Sequence, residues 1–300
     1  MYNLAASNGY RIGGCMPRAK TVQSIWDKKN IFFFVILPLL IGLILSAFIP
    51  QPQIGTITIT NAIDDYETEV AVNQIRYAEN HSEIRAVVLI LDCPGGTING
   101  TELIYLELLK LRKTKPVVTM VEGLSASGSY YISAGTDYIF ANPSSMVGNV
   151  GVIGTVPSKP RVFEEEYSTG PYKLWGWPQD TFIRQMDMMK TTFLQAVLNG
   201  RGKNLKITPE QILRGEIYPA NEAYRLGLID ELGPLGNAID KAAELAHISH
   251  YQIADLEQKT STEKQATTDS PKGFYGVDAN GNSTGKPREP GLYYLYIQDM

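Results

Sequence analysis

The stretch from Val121 to Gly154 constrains the fold of this chain more than any other. It follows a β-branched run, Pro116 to Val121, which breaks at Gly123 into a small-residue turn, Leu124 to Gly128. A helix-like segment and a second apolar run come next, at Tyr130 to Ala134 and Tyr138 to Ala141. This order predicts a strand, a turn, a helix and a second strand.

Ser127 lies where the predicted turn enters the helix. A helix start leaves backbone N–H groups unpaired, and such groups stabilise an anion beside them. A hydroxyl at this place can act as the nucleophile of an acyl transfer, and the neighbouring N–H groups can form its oxyanion hole. Serine is also a favoured helix N-cap, so the residues alone leave both a catalytic and a capping role open.

Strand and helix patterns alternate with short links, which predicts an α/β domain with a mainly parallel sheet over residues 51–258. Ile54 to Ile63 alternates with a period of two, and Ala86 to Leu91 is a continuous apolar run, typical of a strand covered on both faces. Helical patterns occupy Glu67 to Asn80, Phe182 to Leu198, Ala220 to Leu226 and Asn237 to Ile248.

Two glycine-bearing loops follow predicted strands, at Pro94 to Gly96 and at Ser125 to Gly128. In parallel sheets the catalytic and ligand-binding groups usually lie beyond the carboxyl ends of the strands. Glycine lets backbone N–H groups approach a ligand, so one donor from each loop can converge on a carbonyl oxygen. A plain tight turn is the alternative for the first loop, and Cys93 beside it is interpreted as a buried small hydrophobe rather than a thiol nucleophile.

Ile31 to Ile49 carries no charge and is long enough to cross a bilayer core of roughly 30 Å, so we predict a transmembrane helix at residues 31–49. A cleaved signal peptide and a buried core helix are the alternatives. Lys28 and Lys29 precede the run, which predicts a cytoplasmic segment at residues 1–30 and a cell-membrane protein with its main domain outside. Cys15 and Cys93 would then lie on opposite sides and cannot pair.

No histidine is an evident base for Ser127. The three histidines are His81, His247 and His250, and none of them lies in a loop that follows a predicted strand. Lysine is the remaining candidate type. Lys173 lies in an aromatic, nearly uncharged neighbourhood that can favour its neutral form, although a strand lysine with its amine in water is the alternative.

Residues 259–300 are rich in polar residues, Gly and Pro, and we predict a disordered tail that ends in the apolar segment Leu292 to Ile297. That segment can dock as an added strand, occupy a substrate groove, or remain unfolded. The net charge of −4 offers no basic surface for nucleic acid. A stripe of Met and Phe from Met186 to Val197 is typical of a core or subunit interface.

Several motifs in this order resemble the signal peptide peptidase A family of membrane serine proteases, over about Ile54 to Gly236. The motifs are Asp92 to Gly96, Ala126 to Ala134, Gly148 to Ile153, Ser168 to Lys173, Gly200 to Gly202 and Gly227 to Gly233.

The resemblance implies a Clp/crotonase-like fold of repeated ββα units and a Ser/Lys dyad. By position, Ser127 matches the nucleophile and Lys173 the general base, while the N–H of Gly128 and an N–H of Gly95 or Gly96 match the oxyanion hole. It also implies hydrophobic peptide substrates, no metal or cofactor, and a homo-oligomeric ring whose dyad is shared between protomers.

The chain departs from the family pattern at three places. Ser129 stands where a second glycine is common, and Leu174 follows Lys173 where an acidic residue is common. The segment between Ile153 and Ser168 is shorter than in the family and rich in proline, which makes Lys159 a reserve base. The alternatives to a signal-peptide-degrading endopeptidase are a stomatin-operon type membrane protease, a catalytically silent peptide-binding scaffold and an acyl-CoA enzyme of the same fold.

Overall fold

The structure, a computed structural model, describes residues 32–47, 51–154, 169, 178–266 and 292–295. The chain divides into two compact units, Met1–Pro50 and Gln51–Met300. In the first unit a π-helical turn, Phe32–Ile36, leads into helix α1, Leu37–Ala47. Among the described residues, no helix combines the length and the apolar character that a membrane span requires.

The second unit alternates strands and helices. Its strands are β1 Gln53–Ile59, β2 Ile84–Cys93, β3 Gly95–Thr97, β4 Val117–Ala126, β5 Tyr138–Ala141, β6 Met146–Gly148, β7 Ile153–Gly154, β8 Ile217–Pro219, β9 Glu231–Leu232, β10 Gln252–Asp255 and β11 Leu292–Leu295. Its helices are α2 Asp65–Asn80, α3 Ile98–Leu111, α4 Gly128–Ala134, α5 Gln179–Arg201, α6 Pro209–Ile212, α7 Ala220–Leu226, α8 Leu235–Leu245 and α9 Leu256–Ala266.

The main sheet has the strand order β10-β1-β2-β4-β5-β9, and every neighbouring pair in it is parallel. Strand β6 adds to β4 in parallel and pairs with β8 antiparallel. The prediction of an α/β domain with a mainly parallel sheet is therefore confirmed.

Both faces of the sheet are buried. On one face Val87, Leu89 and Leu91 of β2 pack with side chains of α2 and α3. On the other face Val88 packs in a second cluster with alanines of α8. This double burial is why β2 is a continuous apolar run, since a strand covered on both sides needs no polar face.

Strand β4 is longer than the sequence suggests, because Gly123 does not break it. Residues Val118 to Val121 pair with β5, and Leu124 to Ala126 pair with β6 instead. The strand changes partner at the glycine and continues to Ala126. The turn was predicted from Leu124 onward, but residues Leu124 to Ala126 belong to the strand and the turn begins at Ser127. Strand β1 is shorter than predicted and ends at Ile59.

Helix α5 packs closely on the end of α4. A Cβ on Gly200 would lie 1.7 Å from the Ala134 carbonyl oxygen, so only glycine permits this contact. The next residue, Arg201, is buried and donates from Nη1 and Nη2 to the carboxylate of Asp230 at 2.7 and 2.8 Å. The Gly200 to Gly202 motif thus stabilises the packing of α5.

Phe193 and Val197 of α5 lie fully in the core, as their spacing predicted. Helix α9 continues to Ala266, past Gln258 where the domain was predicted to end. It is anchored by Leu256, which is fully buried, and by the Asp255 carboxylate, which accepts from the Glu257 N–H at 2.9 Å. Most of the predicted tail, residues 267–291, lies outside the described residues.

Candidate active site

The loops after β2 and β4 lie side by side at the carboxyl edge of the main sheet. The two strands are parallel neighbours, and Cys93 pairs with Ser125 in their register. Gly95 lies two residues after Cys93, and Ser127 lies two residues after Ser125, each just beyond the end of its strand. The two glycine-bearing loops that the sequence singled out are therefore brought together, as expected for parallel strands.

Ser127 joins β4 to α4 in a backbone conformation that is rare for a residue with a side chain. Its φ is 53° and its ψ is −123°, which is the first central position of a type II′ turn and is dominated by glycine. Such a conformation costs about 1–3 kcal/mol and persists only where neighbouring structure fixes it. Here the Ser127 N–H donates to the Gly148 carbonyl at 2.9 Å, and its carbonyl accepts from the Tyr131 N–H at 3.0 Å.

The Ser127 side chain does not cap α4, although the residue stands at the N-cap position and is 98% buried. Thr97, at the equivalent place before α3, behaves differently. Its φ is an ordinary −66°, and its hydroxyl accepts from the Gly100 N–H at 3.2 Å. The capping alternative for the Ser127 hydroxyl is therefore wrong, and this hydroxyl is not needed to begin the helix.

The loop after β2 offers its two glycine amides in different directions. The Gly95 N–H points at the Cys93 sulfur, 3.4 Å away. The Gly95 carbonyl and the Thr97 N–H both bond to Ile63, each at 2.8 Å. Because backbone groups alternate along a strand, the Gly96 N–H faces away from Ile63 and toward strand β11, where Tyr294 is the residue paired with Gly96. Of the two predicted donors, Gly96 is the one that faces the edge of β3 along which an extended segment binds.

No side chain other than hydrogen fits at Gly96, since a Cβ there would lie 2.1 Å from the Ile63 carbonyl oxygen. The third predicted donor, Gly128, is the first residue of α4. An N–H in the first turn of a helix has no acceptor within the helix. The residues around Ser127 thus present backbone N–H groups from both loops, the composition that an oxyanion hole requires.

Cys93 is fully buried behind the Gly95 loop, and burial raises the pKa of its thiol to about 11. A thiol held protonated at neutral pH is a poor nucleophile. This agrees with the interpretation of Cys93 as a small core residue.

A cluster of buried hydroxyls lies beneath the Ser127 turn, and the sequence reasoning did not find it. Ser125 and Ser133 share a hydrogen bond of 2.9 Å between their hydroxyl oxygens, and the Ser129 hydroxyl lies 3.4 Å from that of Ser125. Ser129, where the family pattern has glycine, is thus accommodated by polar partners. The signal was the spacing of four in Ser125, Ser129 and Ser133, which places the last two on one helix face.

The described part of the chain offers few side chains that could act as the general base for Ser127. The histidines follow helices rather than sheet strands: His81 is the C-cap of α2, and His247 and His250 come after α8. Lys115, whose pKa burial lowers, bonds to the carbonyls of Ala78 and His81. Lys115 precedes the amino end of β4, so the whole length of that strand, roughly 30 Å at about 3.3 Å per residue, separates it from Ser127. It is therefore no candidate for the base.

Lys173 and the reserve base Lys159 lie outside the described residues, so the dyad stays a prediction. Within the described ranges no group of three or more His, Cys, Asp or Glu side chains is arranged to hold a metal ion.

Comparison with known proteins agrees with the geometry. The model of Peptidase family S49 matches residues 110–249, and the model of Clp protease matches residues 52–147. Together the two matches span both loops and the turn that bears Ser127. Residues 110–249 are therefore similar to Peptidase family S49. The resemblance inferred from the motifs is thereby confirmed.

Curated relatives point the same way. The chain is 33% identical to Protease 4 of Salmonella typhi over 206 residues, 61% of this chain and 33% of that protein. It is 27% identical to a signal peptide peptidase SppA of Enterococcus faecium over 213 residues, 66% of this chain and 62% of that protein. It is 25% identical to the chloroplastic serine protease SPPA of Arabidopsis thaliana over 194 residues, 60% of this chain and 29% of that protein.

The matched region thus spans between about one third and two thirds of the length of these relatives. Among solved structures, the chain is similar to a mutant of a membrane-bound stomatin-specific protease in complex with a substrate peptide. That similarity has a TM-score of 0.47 at 18% identity and covers 65% of this chain and 81% of that one.

Proposed function

We propose that this chain is a membrane-anchored serine endopeptidase that hydrolyses hydrophobic peptides in extended form, such as cleaved signal peptides. The observation that carries the proposal is Ser127, a strained, non-capping serine at the carboxyl edge of the sheet, beside the glycine loop that contains Gly96. Strain of this kind clusters at functional sites. The family S49 match and the signal peptide peptidase name of a relative support the same chemistry.

In the proposed reaction the Ser127 Oγ attacks the carbonyl carbon of the scissile peptide bond. The Gly128 and Gly96 N–H groups donate to the oxygen, which becomes negative in the tetrahedral intermediate. Lys173 takes the hydroxyl proton and passes it to the leaving amine, and water then hydrolyses the acyl-enzyme. For Lys173 to act near neutral pH its pKa must fall from about 10.4 to about 7, a bias of about 4.6 kcal/mol against the ammonium form.

The anchor belongs to the same proposal. Residues 31–49 are uncharged, and large apolar side chains of the described part are exposed, among them Phe34, Leu39 and Leu40. Exposed apolar side chains of this density are stabilised in lipid. We place residues 1–30 in the cytoplasm and the protease domain outside. Following the resemblance, we place the base of each dyad on a neighbouring protomer of a homo-oligomer.

The test is fluorophosphonate labelling of the full chain in carbonate-washed membranes. The wild-type chain should stay in the membrane pellet and label covalently, and Ser127→Ala should lose labelling and peptide hydrolysis by at least about 10³-fold. Ser129→Ala, two residues along the same turn, controls for general damage and should still label. Undiminished labelling of Ser127→Ala would reject the nucleophile, and release into the supernatant would reject the anchor.

The base is tested with Lys173→Met, which should also lose labelling. Co-expressing the Ser127→Ala and Lys173→Met chains should restore part of the activity, because a shared dyad regains one intact pair at some subunit boundaries. Full activity of Lys173→Met would show that another residue is the general base, and Lys159 would be tested next. Failure of the mixed chains to recover any hydrolysis would place both groups in one protomer.

A further inference from the structure

The motif from Gly148 to Ile153 has no role in the proposed reaction, yet it begins beside the Ser127 turn. Strand β6 is parallel to β4, and Gly148 at its end pairs with Ala126, the residue before Ser127. The Ser127 N–H donates to the Gly148 carbonyl at 2.9 Å. A backbone hydrogen bond that holds the strained serine is therefore made to the last residue of β6.

Gly148 lies between β4 and the segment that leads into β8. Its φ is 126°, and a Cβ there would lie 2.8 Å from the Glu216 carbonyl oxygen, so a side chain at this position would push the two segments apart. On its β8 side Gly148 pairs with Ile217. The position of the Gly148 carbonyl therefore depends on how the segment Gly215 to Ile217 is held against β6.

Asn149 connects the end of β6 to that segment. Its backbone N–H donates to the Glu216 carbonyl and its side-chain Nδ2 donates to the Gly215 carbonyl, each at 2.8 Å. Its φ is 57°, in the left-handed region that asparagine adopts more readily than most residues with a side chain. Asn149 thus supplies both the backbone conformation after β6 and a second hydrogen bond, which comes from its side chain.

We propose that Asn149 is a positioning residue for the nucleophile, acting on Ser127 through Gly148. The inference rests on the proposed function and deepens it. The Asn149 amide holds the end of β6 to Gly215, which keeps the Gly148 carbonyl within reach of the Ser127 N–H. A strained conformation persists only where its surroundings fix it, so the serine depends on this support. Since a displacement of about 1 Å can cost about 10²-fold in rate, loss of the support slows the attack by Ser127.

The test measures the rate of fluorophosphonate labelling of the full chain at increasing probe concentration. Asn149→Ala should lower the maximal rate about tenfold and leave the half-saturating concentration unchanged, because the probe still binds but the hydroxyl is misplaced. Asn149→Gly permits the left-handed backbone and lacks only the amide, and we expect it to slow labelling as well.

Asn142→Ala is the matched control. Asn142 lies between β5 and β6, and its Nδ2 donates to the Glu122 carbonyl at 3.0 Å, so the variant loses a bond of the same kind away from Gly148. It should label at the wild-type rate. Wild-type rates in Asn149→Ala or Asn149→Gly would overturn the inference, as would equal slowing in Asn142→Ala.

Backbone hydrogen exchange at position 127 gives a second readout, which requires no activity. Asn149→Ala should speed exchange of this amide about tenfold, because its acceptor is Gly148, and Asn142→Ala should not. Absence of labelling in the wild-type chain would reject the proposed function, and faster exchange in Asn149→Ala would then still retain the support of the turn. Unchanged exchange in Asn149→Ala would reject that support whether or not the wild-type chain labels.

Discussion

The turn at Ser127 and the turn at Gly202 have nearly the same backbone conformation and different residues. Ser127 has φ 53° and ψ −123°, and Gly202 has φ 47° and ψ −121°. Both stand at the end of a helix, Ser127 before α4 and Gly202 after α5. Glycine adopts this conformation without strain, so Gly202 is what backbone energetics alone would select. A serine in the same conformation costs stability, which indicates that the chain retains Ser127 for its side chain.

The two turns are also held differently. Ser127 is fixed by backbone hydrogen bonds to Gly148 and Tyr131. Gly202 also makes backbone hydrogen bonds, from its N–H to the Leu198 carbonyl and from the Leu205 N–H to its own carbonyl at 3.4 Å. It differs in following Arg201, whose buried guanidinium bonds to Asp230 and to the Gly227 carbonyl. The comparison separates a turn that adjoins a buried ion pair from a turn whose serine side chain makes no capping bond.

The largest effect on stability is expected from Arg201→Met, which breaks the buried ion pair beside the Gly202 turn. Its side chain is 2% exposed and that of Asp230 is 10% exposed, so the substitution leaves a buried carboxylate without its cation. We expect a loss of about 3 kcal/mol in the free energy of unfolding, measured by urea denaturation.

The control for that variant is Arg184→Met in the same helix, whose ion pair with Asp180 is exposed at both ends. It should change the free energy of unfolding by less than about 1 kcal/mol. Equal losses for Arg201→Met and Arg184→Met would show that the buried ion pair stabilises the fold no more than the exposed one.

A smaller effect on stability is expected from Gly202→Ser, which places a serine, the residue found at position 127, in the turn at Gly202. An added Cβ at Gly202 meets nothing within 4 Å, so any cost comes from the backbone conformation. We expect a loss of about 1 to 2 kcal/mol by the same measurement. Gly236→Ser is the control, because its Cβ would also lie in open space and its φ is ordinary. A loss of equal size at Gly236 would remove conformational strain as the explanation.

The sequence predicts the sheet and the position of Ser127 well. Buried parallel strands appear in it as continuous apolar runs, and helices appear as apolar residues spaced three or four apart. Strand β5 has the predicted bounds, and α7 does too. The continuation of β4 past Gly123 was not predictable, since it depends on a second partner strand that comes from Met146 onward. The rule that glycine ends strands fails where tertiary pairing takes over.

Within the candidate site, sequence reasoning identified both glycine loops but not how they differ. Gly95 and Gly96 are chemically identical, and only the structure shows that the Gly95 N–H is directed at the Cys93 sulfur while Gly96 faces the edge of β3 that pairs with β11. The positive φ of Ser127 was likewise not readable, because serine is an ordinary residue at helix starts. The strand at Leu292 was among the foreseen alternatives, but its register against Gly96 required the structure.

The most direct test of the central claim is Ser127→Gly compared with Ser127→Ala, with unfolding free energy and fluorophosphonate labelling measured on each. Both variants lack the hydroxyl, but only the glycine variant relieves the backbone, so we predict that it is the more stable of the two by about 1 kcal/mol and that neither labels. Equal stability of the two variants, or labelling of either, would contradict the claim that strain at this turn is retained for a reactive hydroxyl.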